Sequence, residues 1–118
     1  MKYTNKATLI GRVGNVDYKT NNVVSLTLAT HEYSKDKDGK YQPKDADWHR
    51  VVCFDKISEA IKDYGITKGS RVMVEGKIKT NSYEQKNDKG ELEKKVRTQI
   101  YCNHLEKLVS EKVDAQDE

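Results

Sequence analysis

The chain is short of the residues that commit a protein to most chemistries. Its 118 residues include one proline, one tryptophan, one phenylalanine and two cysteines. Cys53 and Cys102 form no Cys-x-x-Cys pair, and His31, His49 and His104 are scattered, so no zinc-ligand spacing exists and neither metal nor cofactor is expected. Both cysteines sit in apolar alternating segments and read as small buried hydrophobes of a reducing compartment. No run approaches the roughly eighteen apolar residues of a membrane span, and residues 1–6 lack the apolar stretch of a secretory signal. A cytoplasmic protein with no membrane partner is expected. Paired carboxylates, nucleophile–base spacings and phosphate-cradling glycine loops are also missing. An enzyme is the least favoured class, and Asp45 and Asp47 beside His49 read as turn formers.

What is present is charge. Charged residues make up 35% of the chain and hydrophobic residues another 35%, which allows one domain with a thin core. The net charge of +3 is unevenly spread. Residues 109–118 carry four acids against Lys112, a net of −3, leaving +6 on residues 1–108 from 21 basic and 15 acidic side chains. A basic body over residues 1–108 with a short acidic tail, expected to be disordered, fits either a polyanionic partner or a solvated mixed-charge surface.

Hydrophobic alternation predicts five strands. Residues 5–17 alternate around Leu9, Gly11 and Val13, with Gly11 and Gly14 marking a coiled first strand. Val24, Leu26 and Leu28 point inward from the second strand, residues 23–30. A polar stretch at 34–47, with the only proline, reads as a long loop. The third strand is followed by Ile57, Ala60, Ile61 and Tyr64 at the spacing of a short amphipathic helix, with Asp55 as N-cap and Gly65 as its left-handed end. Residues 71–83 and 96–108 form the last two strands, separated by a second polar stretch at 84–95. Three strands, a helix and two strands is the order of the OB-fold, a five-stranded Greek-key barrel with the helix between strands three and four.

The third strand, "DWHRVVCF" at 47–54, holds the only Trp and the only Phe. Alternation puts Trp48, Arg50, Val52 and Phe54 on one face and His49, Val51 and Cys53 on the other. One reading is a wet platform on which unstacked bases lie on rings while cations neutralise phosphates. The other is a core face from whose edge Arg50 snorkels. Tyr33 and Tyr83 add rings beside the two polar stretches. Arg12, Lys35, Lys37, Lys77, Lys79, Lys86 and Arg97 supply positive charge. Rings suit single strands, because duplex bases present only groove edges.

"NKATLIGRVGNV", "SLTLAT", "DWHRVVCF", "KISEAI" and "KGSRVMVEGKIKT" resemble, in this order, the bacterial-type single-stranded-DNA-binding protein family. The likeness runs from Asn5 to Leu108. It implies an OB-fold that assembles as a homotetramer, with a dimer still open, and wraps single-stranded DNA without sequence preference in replication, recombination, repair or plasmid and phage DNA transfer. It implies stacking by Trp48, Phe54, Tyr33 and Tyr83 and a subunit contact at His49, which strand alternation alone would read as an inward-facing histidine. It also implies a cytoplasmic protein of the bacterial nucleoid, or one carried by a plasmid or phage. The family's usual acidic and proline residues after Gly14 are replaced by Asn15-Val16-Asp17. Its terminal Pro-Phe tip is missing from "DAQDE", which puts partner recruitment by that tip in doubt. An RNA-binding OB protein and a protein-interaction subunit of a replication-restart complex remain open alternatives.

Overall fold

The computed structural model describes residues 2–109; the acidic segment expected to be disordered lies almost wholly outside them. Seven strands and one helix follow in the order β1 (Ala7–Thr20), β2 (Val23–Thr30), β3 (Tyr33–Lys35), β4 (Tyr41–Pro43), β5 (Asp47–Phe54), α1 (Asp55–Asp63), β6 (Arg71–Lys86) and β7 (Leu92–Lys107). The five long strands close into a barrel in the order β1-β2-β5-β7-β6, and β3 and β4 pair separately.

Alternation builds the interior. Val24, Leu26 and Leu28 of β2, Val51 and Cys53 of β5, Val72 and Val74 of β6, and Ile100 and Cys102 of β7 form the core, with Ile61 of α1 and the following Ile66. Glycine appears where backbones approach closely. A Cβ on Gly76 would lie 2.1 Å from the carbonyl oxygen of Tyr101, beside the irregularity where Glu75 pairs with His104 but Gly76 with Cys102. Cys53 and Cys102 are both buried in the barrel, and the neighbouring Cys102 thiol, reinforced by burial, pushes the Cys53 thiol far up from its ordinary range.

The barrel start is pinned by a side chain. Asn5 Nδ2 donates to the carbonyl of Ile78 at 2.8 Å, and Ile78 N–H donates back to Asn5 Oδ1 at 2.9 Å. One amide thus completes a strand-like pairing where β6 leaves the barrel.

Three expectations change. The first polar stretch is not one long loop: Asp36 Oδ1 accepts the N–H groups of Asp38 and Lys40, both at 2.9 Å, and Asp36 N–H donates to the Lys40 carbonyl. That Asx turn, completed by Gly39 at φ 80°, folds β3 onto β4. The second polar stretch uses the same device. Asn87 Oδ1 accepts from Lys89 and Glu91, with Gly90 at φ 79°, so β6 and β7 pair without interruption out to Lys86↔Leu92. Finally, Asp55 is not a side-chain cap. Its N–H donates to the Asn22 carbonyl at 2.9 Å and its φ is 51°, while Phe54 holds the extended N-cap position without a side-chain bond. The other helix end follows expectation. Gly65 at φ 65° bonds the Lys62 carbonyl and Ile66 bonds that of Ile61, the double bond of a Schellman ending.

Candidate nucleic-acid interface

The alternation that buries Val51 and Cys53 turns Trp48, Arg50 and Phe54 outward. Trp48 is 61% exposed and Phe54 37% exposed, which excludes the core reading of this face. Val52, between Arg50 and Phe54, is nearly covered. The indole reaches over β2 to β1: a Cβ on Gly14 would meet Trp48 Cζ3 at 2.3 Å and Thr27 Oγ1 at 3.0 Å. Gly14 was read from the sequence as a bend, and it also makes room for the ring.

The face continues across neighbouring strands. Val52 pairs with Tyr101 on β7, and Tyr101 pairs with Lys77 on β6. The Phe54 and Tyr101 rings meet edge to face at 5.2 Å, and Lys79 Nζ lies 5.8 Å above the Tyr101 ring. Farther along, Asn81 pairs with Arg97 and Tyr83 with Lys95, and the Arg97 guanidinium lies 5.0 Å over the Tyr83 ring. Trp48, Arg50, Phe54, Lys77, Lys79, Tyr83 and Arg97 therefore share one outer surface on adjacent strands. Such cation–ring contacts keep rings and charges together without burying either.

Because β5 and β7 run parallel, the segments that lead into them lie at the same end of the sheet. The β3–β4 hairpin projects there and carries Tyr33, Lys35 and, in its turn, Lys37, all exposed. Lys35 Nζ lies 5.3 Å over Tyr41, its cross-strand partner. The outer half of the β6–β7 hairpin also projects, with Lys86 at its tip. Arg12 sits at the margin. It pairs with Ala29, which pairs with Trp48, but its guanidinium donates to the Gly69 carbonyl at 3.0 Å. His49 points to the other side of β5, half-buried, with Nε2 2.9 Å from Thr30 Oγ1.

Three neighbours of these side chains escaped the sequence reading. Tyr101 and Gln99 follow from the same alternation that put Ile100 and Cys102 inward. Tyr41 became visible only once β4 was seen to pair with β3. Among the described residues, no group of three or more His, Cys, Asp or Glu side chains is placed to hold a metal ion. No described helix is long and apolar enough to cross a membrane.

The sequence compares closely with known proteins over this same span. It is 36% identical over 109 residues to Single-stranded DNA-binding protein 1 of Chlorobaculum tepidum, covering 88% of this chain and 64% of that protein. The chain thus spans just under two thirds of that relative's length. A solved structure described as a Plasmodium falciparum SSB complex with ssDNA superposes with a TM-score of 0.72 at 31% identity, covering 92% of this chain and 98% of that one. The small single-stranded DNA-binding protein of Streptomyces coelicolor shares the fold, with a TM-score of 0.68 at 12% identity over 91% of this chain and 97% of its own. The model of the single-strand binding protein family matches residues 4–108, the whole barrel with both hairpins, and the chain belongs to that family.

Proposed function

We propose that this barrel is an OB-fold that binds single-stranded DNA without catalysis, holding bases on its rings and phosphates on its cations. One observation carries the reading: the exposed Trp48, Phe54 and Tyr83 lie on one surface with Arg50, Lys77, Lys79 and Arg97. Rings alone would also suit a protein partner. Rings interleaved with cations match the repeating base and phosphate of an unpaired strand. The kinship to a protein described in complex with ssDNA supports the same conclusion.

The test is a fluorescence titration of the protein with oligo-dT at two salt concentrations. Bases stacking on the only tryptophan should quench it, and affinity should fall as salt rises because phosphate neutralisation releases counterions. Replacing both Lys77 and Lys79 with alanine is expected to flatten the plot of log affinity against log salt by roughly 1.4, at about 0.7 per single-strand phosphate contact. An unquenched Trp48 at low salt would refute the platform. A tighter complex with oligo-U than with oligo-dT would transfer the reading to RNA.

Self-association belongs to the same proposal. Ile78, Leu92 and Val96 are exposed on one face of the β6–β7 hairpin, interleaved there with polar side chains, and a second copy would cover them. Light scattering is expected to give a multiple of the 13.6 kDa chain mass. A monomer at micromolar concentration would refute this part.

A further inference from the structure

Strands β5 and β7 stay in register for only two pairs, Val51↔Ile100 and Val52↔Tyr101. Toward the hairpins β5 keeps its ladder with β2 out to Asp47, and β7 keeps its ladder with β6 out to Leu92. Over residues 47–50 and 92–99, each strand therefore has an edge facing the other with no strand paired to it among the described residues. Such an edge presents alternate backbone N–H and C=O groups.

Between these edges lies a cleft of about 180 Å³, lined by Trp48, His49, Arg50, Thr98, Gln99 and Ile100. Alternation places Trp48, Arg50 and Gln99 at its mouth, on the platform face, and His49, Thr98 and Ile100 beneath. Ile100 is buried and gives an apolar floor. The polar groups are partly committed. His49 is held by Thr30, and Asn81 Nδ2 donates to Gln99 Oε1 at 3.2 Å. With that oxygen occupied, Gln99 keeps the two N–H donors of Nε2 for whatever enters the cleft it lines.

We propose that this cleft is a pocket for one pyrimidine base, whose carbonyl oxygen accepts a hydrogen bond from Gln99 Nε2. The inference rests on the single-strand reading above and adds to stacking a hydrogen-bonded position that reads the base. At about 180 Å³ the cleft has room for a single pyrimidine ring with its exocyclic oxygens. Apolar floor, few polar groups and an opening onto the platform are the features of a small-molecule site. Thymine offers the carbonyl O4 where cytosine offers the amino group N4. An amino group facing the Gln99 amide would set donor against donor. The free strand edges supply carbonyls for the thymine N3–H.

The experiment compares dT and dC homopolymers of equal length on the wild type, Gln99→Ala and Gln99→Glu. Both homopolymers carry the same phosphate charge and single-ring bases, so the change of their affinity ratio from the wild type to each Gln99 variant isolates the base edge. The wild type is expected to favour dT by roughly two- to tenfold, the worth of one hydrogen bond. Gln99→Ala should bring the ratio toward one. Gln99→Glu should invert it, since a carboxylate accepts from the cytosine amino group and can still be held by Asn81. A dT-to-dC ratio that stays the same in all three proteins overturns the pocket. Failure of the wild type to bind either homopolymer at low salt refutes instead the single-strand reading beneath it.

Discussion

A chain carrying both Trp48→Ala and Phe54→Ala is expected to fold as the wild type does and to bind oligo-dT roughly 30-fold to 25,000-fold more weakly. Base stacking on an aromatic side chain contributes roughly 1–3 kcal/mol by alanine substitution. The two rings are six residues apart, about 20 Å along an extended strand at about 3.4 Å per residue. They meet different nucleotides, so their losses should add, to roughly 2–6 kcal/mol. The rings contribute little to the core: Trp48 is mostly in solvent, and Phe54 loses only its edge contact with Tyr101. Fluorescence anisotropy of labelled oligo-dT reads the affinity after the tryptophan is gone, and urea unfolding checks the fold. The salt dependence should keep its slope, because the lysines and arginines that meet phosphates are untouched. A double variant within threefold of wild-type affinity would show that the rings are bystanders and that cations alone hold the strand.

The platform was legible because a strand's side-chain period is fixed. Alternation put Trp48, Arg50 and Phe54 on one face and Val51 and Cys53 on the other, and the burial of the latter pair then leaves the outer face for the rings. The same rule applied to the last strand puts Tyr101 and Gln99 on the face opposite Ile100 and Cys102. The hairpins were harder, because polar residues on both faces of a strand erase the alternation by which it is recognised. In β3, β4 and the outer halves of β6 and β7, pairing is imposed by the turns at Asp36–Gly39 and Asn87–Gly90 instead of by burial. Both turns place Asp or Asn three residues before glycine, a signal present in the sequence and read there only as a loop. Asp55 failed for another reason. Its backbone N–H is claimed by Asn22, a contact made only when the β1–β2 turn and the end of β5 come together.

The glycines give the sharpest test of how fold and site depend on each other. Gly76→Ala is expected to destabilise the protein by at least about 3 kcal/mol, a large share of the roughly 5–15 kcal/mol that holds a domain of this kind together. The added Cβ would lie 2.1 Å from the Tyr101 carbonyl oxygen, 2.8 Å from its carbon and 3.0 Å from Cys102 Cα. All three are backbone atoms of the paired strand, so relief requires β6 and β7 to part at the seam that carries Cys102 into the core. Gly14→Ala makes contacts nearly as short, but with different atoms. Its Cβ meets Trp48 Cζ3 at 2.3 Å, Cη2 at 2.8 Å and Thr27 Oγ1 at 3.0 Å, the far ends of side chains that can turn away. That variant should keep most of its stability and lose affinity for oligo-dT, because the indole is displaced from the surface it shares with Arg50. Urea midpoints at unchanged slope measure the first effect, and anisotropy with labelled oligo-dT measures the second. If Gly76→Ala unfolds at the wild-type urea concentration, the two strands are not held as closely as their register requires. If Gly14→Ala binds as tightly as the wild type, the orientation of the indole over β1 does not matter to the platform.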